Sequence, residues 1–353
     1  MTKEDLFQVM DPEGQADLAA IEGISEADRM KMYRLMMFTR LWNTKALSLQ
    51  RQGRLGTLAS VRGQEASNVG MGLALGPDDW FCPAFREYGA MFTRGAQPVK
   101  LFQYWGGDER GAAPPENSHM LPVCITVGSH LCHAVGIAMG AKIRGDKIAV
   151  MSSSGDGSTS QGDFHESLNF AGVYKLPVVF VIQNNHWAIS VPLHQQTATE
   201  TISQKAAAYG INGERVDGND VFAVYLTVKR LLDLARSEHK PSLIEMVTYR
   251  MDDHTTSDDA SRYRTEEMIG PWRAKDPVDR LRKFLIANHG WDDNKEAELQ
   301  AELTAQVEKS VQDYEALPLP HPTEMFDHMY AEMPWHLLEQ KDRMLKRLGE
   351  TAR

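Results

Sequence analysis

No apolar run in this 353-residue sequence approaches the ~18 residues that a membrane-spanning helix requires; the densest is Val178-Val179-Phe180-Val181-Ile182. The opening Met1-Thr2-Lys3-Glu4-Asp5 is acidic and has neither a signal-peptide core nor the Arg-rich composition of a transit peptide. An excess of basic charge is also missing. The 38 Lys and Arg face 48 Asp and Glu, a net charge of −10, which disfavours a general electrostatic grip on nucleic acid or anionic lipid. Cysteine is scarce: Cys82, Cys124 and Cys132 are odd in number and share no metal spacing. That argues against a disulfide framework and for buried free thiols in a reducing compartment. There is no Gly-x-x-x-x-Gly-Lys-Ser/Thr stretch, which excludes a P-loop, and no Gly-x-Gly-x-x-Gly run, which disfavours a classical dinucleotide site. What these absences leave is a cytoplasmic globular α/β protein, an enzyme or an enzyme subunit.

Hydrophobic residues make up 42% of the chain, ample for one large or two ordinary domains. Residues 1–24 are polar and irregular and read as an N-terminal arm available to a partner. Ser25 with Asp28 then resembles a helix N-cap, and Met30, Tyr33, Met37, Leu41 and Leu47 continue a helical pattern until Gln52-Gly53. Residues 25–264 read as one continuous α/β domain and residues 265–353 as a charged, amphipathic helical extension. That extension would cap the domain or meet another subunit. Within it, Met325, Met329, Met333, Trp335 and Leu338 read as a packing face.

The clearest local unit is strand, Gly/Ser-rich loop, helix, strand. Ile148 to Met151 suits a buried strand, and Ser152 to Gly162 a loop. Phe164, Leu168, Ala171 and Tyr174 mark one face of a helix, and Val178 to Ile182 forms a second strand. This is a βαβ unit with parallel strands and a right-handed crossover. The alternation continues with a helix over 199–209, a strand at Glu214-Arg215-Val216, a helix from Val221 to Ser237, a strand from Leu243 to Thr248 and a polar loop over 252–263. The expected fold is a parallel sheet flanked by helices.

Ligands bind where parallel strands end at their carboxyl edge. Gly155-Asp156-Gly157 follows the first strand and Asn184-Asn185 the second, with 26 residues (158–183) between the two motifs. Asp156 and Asn185 therefore return to the same sheet edge. One anionic and one neutral oxygen ligand, with room for phosphate oxygens and water, suits Mg²⁺. Gly155 and Gly157 would let the backbone approach a diphosphate, Ser158 could donate a hydrogen bond to it, and the helix starting near Gln161 would add its positive end. Alone, each motif is ordinarily just a turn or a cap. Their conjunction on matched strand ends is what points to a metal.

With these residues in place, the segment GDGSTSQGDFHESLNFAGVYKLPVVFVIQNNHWAIS resembles the thiamine diphosphate motif of the α subunit of the E1 component of 2-oxo acid dehydrogenase complexes. The likeness runs from about Met30 to Phe284. It includes Gly63-Gln64-Glu65-Ala66, Phe85-Arg86-Glu87 and the loop His254-Thr255-Thr256-Ser257-Asp258-Asp259. The resemblance implies a thiamine diphosphate-binding fold in which Asp156, Asn185 and the backbone carbonyl of Trp187 hold Mg²⁺. Arg86, beside Phe85, would neutralise the diphosphate. Backbone groups near Ile125 and Val127 would meet the aminopyrimidine ring. His254 would contact the diphosphate and reaction centre and assist acyl transfer, with a neutral-to-cationic range suited to proton traffic near neutral pH. Relatives also place a potassium-binding turn before the helix that carries His130 and His133; His130 stands where some have Gln. The small residues Gly136 and Gly140 of that helix read, on their own, as a face packed against another helix.

The same resemblance implies partners. The carboxylate that activates the pyrimidine side of the cofactor lies on a separate β chain, so the working unit would be an α2β2 heterotetramer serving the lipoyl domain and core of an E2 acyltransferase. The substrate would be a 2-oxo acid. Ser160 to Phe164 and Gln183-Asn184-Asn185 are worded most like bacterial pyruvate dehydrogenase α chains, with branched-chain 2-oxo acid dehydrogenases next. A non-catalytic Mg²⁺-diphosphate-binding or regulatory subunit is the reading from another class. Thr255-Thr256-Ser257 resembles a loop that kinases phosphorylate in some relatives, and an unmodified loop is the expectation here.

Overall fold

The computed structural model describes residues 6–349, and among these the chain forms two compact units that divide between Val311 and Gln312. The first unit is built on a five-stranded, wholly parallel sheet. Its strands are β1 (Trp80–Cys82), β2 (Val150–Gly155), β3 (Val178–Asn184), β6 (Asn212–Asp217) and β7 (Ser242–Val247), in the order β1-β2-β3-β7-β6. A small antiparallel hairpin, β4 (Trp187–Ala188) with β5 (Val191–Pro192), stands just past the end of β3.

Helices cover the sheet. In chain order they are α1 (Glu26–Arg51), α2 (Glu65–Ala74), α3 (Tyr88–Thr93), α4 (Pro98–Trp105), α5 (Ser129–Arg144), α6 (Gly162–Tyr174), α7 (Leu193–Gln196) and α8 (Val221–Glu238). The charged region beyond contributes α9 (Glu266–Arg273), α10 (Pro277–His289), α11 (Asp293–Glu315), α12 (Glu324–Asp327) and α13 (Trp335–Leu348). Helix α1 starts where its sequence says: the Ser25 hydroxyl accepts from Asp28 N and donates to the Asp28 carboxylate. Leu131 and Ala134 of α5, Phe164 and Leu168 of α6, and Val178 and Phe180 of β3 are fully buried in one cluster that binds helices to sheet.

Strand β2 runs two residues later at its start and four later at its end than Ile148 to Met151. The three serines expected in a loop are buried ladder residues instead. Two of them tolerate burial because their hydroxyls are occupied: Ser152 donates to the Cys82 carbonyl and Ser153 to the Glu87 carboxylate. The helix expected over 199–209 shrinks to a 3₁₀ stretch, Ser203–Tyr209. Before it, Thr197 and Thr199 bond each other and the local backbone, an alternative that competes with helix formation.

Over its described residues the N-terminal segment is docked on the chain itself. Phe7 bridges Val216 at the β6 edge, and Val9 and Met10 donate their backbone N–H groups to Asp220, the N-cap of α8. Val9, Met10, Ile21 and Ile24 are buried. The part of the arm over residues 1–5 lies outside the described residues.

Two further expectations change. Among the described residues the small residues of α5 meet no other helix: a Cβ at Gly136 would meet nothing within 4 Å, and one at Gly140 only an Arg144 nitrogen at 3.5 Å. Of the three free cysteines only Cys82 is buried; Cys124 is partly exposed and Cys132 exposed. In the second unit, Lys341 and Asp327 form an ion pair, while Met325, Met329, Trp335 and Leu338 are each more than half exposed. No helix among the described residues is long and apolar enough to cross a membrane.

Candidate active site

Strand register brings the two expected oxygen ligands together. Gly155 at the end of β2 pairs with Gln183 on β3, so Asp156 and Asn185 leave neighbouring strands at the same edge. A cavity of 260 Å³ opens there. It is lined by Phe85, Arg86, Val127, Gly155, Asp156, Gly157, Ser158, Asn185, Trp187 and His254. Ten of the eleven residues expected at the site therefore share one wall. Ile125 does not: it is exposed and lines a separate surface trough along α5.

Asp156 opens a 3₁₀ turn and is buried, which raises its carboxyl above the usual range. Its Oδ1 accepts from Asn185 N at 3.3 Å, and its Oδ2 from Gln196 Nε2 at 2.7 Å. Asn185 Oδ1 accepts from Trp187 N, and Asn185 Nδ2 donates to Gln64 Oε1, each at 3.3 Å. Between Asn185 and Trp187 the chain turns through His186 in the left-handed region, φ 72°. A non-glycine residue there costs about 1–2 kcal/mol. The His186 Nδ1–H bond to Thr248 O and the His186 N bond to Asn184 Oδ1 hold it.

Gly157 is needed for space, since a Cβ there would lie 2.9 Å from the Ala188 Cβ of the hairpin. Gly155 faces open space. Ser158 differs from expectation: its hydroxyl proton goes to the Gly155 carbonyl at 2.7 Å and closes the turn. Helix α6 begins at Gly162 with Gln161 as N-cap, and Gln161 lines the cavity, so the positive helix end faces it as expected.

The strongest electrostatic feature is a pair of buried guanidiniums. Arg86 donates to Ser60 O, His254 O and His254 Nδ1. Arg250 is fully buried and donates to His254 Nδ1, Trp187 O, Ile189 O and the Tyr263 hydroxyl. Among the described residues neither has a carboxylate ion-pair partner. Burial, with Arg250 beside it, pushes Arg86 down to about 10. Arg86 lines the cavity and Arg250 shares His254 with it; two desolvated cations without an ion-pair partner are unfavourable unless an anion joins them, and their forked donors match phosphate oxygens. The donor set thus fits a Mg²⁺-diphosphate: oxygen ligands on one side, unpaired guanidiniums and a helix N-terminus on the other.

His254 sits between the two arginines, with its ring edge-on to Phe85 at 6.3 Å. Burial, Arg86 and Arg250 push its imidazole down to about 3, so it is neutral near pH 7 and does not titrate there as expected. Because both guanidiniums donate to Nδ1, the proton resides on Nε2. The loop beyond is fastened: Thr256 exchanges bonds with the Leu58 backbone, and Ser257 bonds Thr57 at 2.8 Å. Glu87, buried and itself lining the cavity, accepts from Arg86 N, Ser153 Oγ and Gln183 Nε2, and burial raises its carboxyl.

Sequence reasoning missed Arg250, Gln64, Gln196 and Glu87. Arg250 had one legible signal, a basic residue three positions past the end of β7, at the edge where ligands bind. Gln196 had none, because its contact with Asp156 spans forty residues.

A family model described as the dehydrogenase E1 component matches residues 33–323. The chain is 43% identical to the pyruvate dehydrogenase E1 component subunit alpha of Acholeplasma laidlawii, covering 90% of this chain and 93% of that one. It is 37% identical to the proteins of the same name from Bacillus subtilis, covering 95% and 91%, and Staphylococcus aureus, covering 96% and 92%.

Proposed function

The chain belongs to the dehydrogenase E1 component family, and from that premise we propose that it is the α subunit of a pyruvate dehydrogenase E1. In that role it catalyses, with a β subunit, the oxidative decarboxylation of pyruvate and the reductive acylation of an E2 lipoyl group. The observation that carries the reading is one cavity lined by the buried Arg86, Asp156, Asn185 and His254, with a second buried guanidinium, Arg250, bonded to that same His254. The relatives' names favour pyruvate over a branched-chain 2-oxo acid.

Thiamine diphosphate, the cofactor the family implies, supplies when bound an electron sink for cleaving the bond between the carbonyl and carboxylate carbons of a 2-oxo acid. This chain's residues do the rest of the work on their side. Asp156, Asn185 and the Trp187 carbonyl hold Mg²⁺. Arg86 and Arg250 neutralise the diphosphate, and the backbone at Gly155 and Gly157 lets it come close. Val127 lies against the pyrimidine side. His254, neutral with its proton on Nε2, serves as a hydrogen-bond donor at the reaction centre and assists transfer to the lipoyl arm. The β subunit supplies the activating carboxylate, so the functional unit is α2β2, and the lipoyl domain reaches the cavity from E2.

The test is decarboxylation of pyruvate against 3-methyl-2-oxobutanoate by the reconstituted α and β chains. A pocket that separates a methyl from an isopropyl group works with ~1–3 kcal/mol, so a preference of about tenfold or more for pyruvate is expected. A preference for the branched acid assigns the chain to the branched-chain class. Cofactor binding without turnover of either acid assigns it to a binding or regulatory role.

A further inference from the structure

Two glutamine amides beside the oxygen ligands, Gln64 buried and Gln196 half-buried, are each half satisfied. Gln196, at the end of α7, donates from the single atom Nε2 both to Asp156 Oδ2 at 2.7 Å and to Val191 O at 3.0 Å. Its Oε1 is buried and bonds nothing. Gln64, 1% exposed and lining the cavity, accepts through Oε1 from Asn185 Nδ2, and its Nε2 is buried and bonds nothing.

The chemistry of the partners fixes which end of each amide points where. A carboxylate and a carbonyl only accept, so the atom of Gln196 facing both is the nitrogen. Asn185 Oδ1 is taken by Trp187 N, so Asn185 presents Nδ2 to Gln64, which must answer with its oxygen. What remains beside the ligands is one open acceptor on Gln196 and one open donor on Gln64. Buried polar atoms without partners are rare and costly, and this pair has complementary character. A metal-bound water would donate to the first, and an anionic oxygen would accept from the second.

We propose that Gln64 and Gln196 are positioning residues for the divalent cation, each fixing the rotamer of one side-chain ligand. Gln196 also ties Asp156 to the β4–β5 hairpin that carries the Trp187 carbonyl, so one amide holds two ligand-bearing segments in register. Asp156 Oδ1 keeps a lone pair for the metal, because its single partner, Asn185 N, uses only one. Gln64 is delivered by the turn at Gly63, φ +92°, where a Cβ would lie 2.4 Å from Tyr249 O. Glycine alone lets the segment before α2 approach the end of β7 so closely. Partners outside the direct ligand set typically change metal affinity by roughly 10–100-fold. The inference rests on the reading of Asp156 and Asn185 as metal ligands.

The experiment is a Mn²⁺ titration of the α2β2 complex in the presence of thiamine diphosphate, read by electron paramagnetic resonance, for wild type, Gln196→Met and Gln64→Met. Methionine keeps the length of each side chain and removes the amide. Each substitution is expected to raise the Mn²⁺ dissociation constant by about tenfold or more, with the cofactor-free thermal midpoint unmoved. Unchanged Mn²⁺ affinity in both variants overturns the proposal. A loss of affinity that only follows a fall in the cofactor-free midpoint overturns it as well, since the amides would then serve the fold alone. Failure of the wild-type complex to take up Mn²⁺ is a different result and defeats the reading of Asp156 and Asn185.

Discussion

His254 shows how far a residue's surroundings can move its chemistry. Its folded value of about 3 lies below the ordinary 6.5 because burial and two guanidiniums oppose a third positive charge. Between those values the unfolded chain binds the proton and the folded chain does not. The stability contributed by neutral His254 is therefore complete above about pH 6.5 and is lost as pH falls toward about 3. Replacing His254 by Gln is expected to flatten the acid limb of urea-unfolding stability by up to one proton per molecule over that window. Identical slopes for wild type and H254Q contradict this. Arg250 carries a second residue-scale prediction. Hydrogen bonds to charged groups contribute ~1.5–3 kcal/mol, so Arg250→Met is expected to weaken thiamine diphosphate binding by the α2β2 complex by about tenfold or more. Arg250→Lys is not expected to restore it, because the planar fork also holds Ile189 O and Tyr263. Isothermal titration of the cofactor checks both.

Elements were legible in proportion to how local their causes are. The helix at α1 follows from a cap and a periodic apolar face, and Asp156 with Asn185 follow from the length of a βαβ unit, which returns two strand ends to one edge. Strand β2 was not legible through Ser152 to Ser154. Three serines look like a loop until Cys82 and Glu87 are known to stand across from them. The same holds for the ligand-orienting glutamines and for Arg250, whose partners are distant in sequence. The N-terminal arm also docks through a remote partner. Asp220 caps α8 with Oδ1, accepts Val9 N and Met10 N with Oδ2, and lies 3.8 Å from the buried Arg280. Asp220→Ala removes the cap and two tethers and takes a counter-charge from Arg280. A loss of about 3–5 kcal/mol in urea unfolding is expected. A loss under about 1 kcal/mol, the size of an ordinary cap, would mean that the arm is not held there.

At the scale of the whole molecule, the site is one wall of something larger. The cavity gathers the groups that recognise a metal and a diphosphate, whereas Ile125, expected against the pyrimidine ring, stands outside it on an exposed trough. That distribution suits a cofactor held between two chains, with this one gripping the anionic end. The family comparison supplies what local physics does not, namely the kind of reaction the grip serves. Reductive acylation of a lipoyl domain from pyruvate, measured for this chain alone and then with its β subunit, tests the account most directly. The account predicts no acylation by the lone chain, acylation when the β subunit, thiamine diphosphate and Mg²⁺ are present, and loss of that activity in Asp156→Ala. Turnover by the lone chain, or full activity of D156A in the complex, would contradict it.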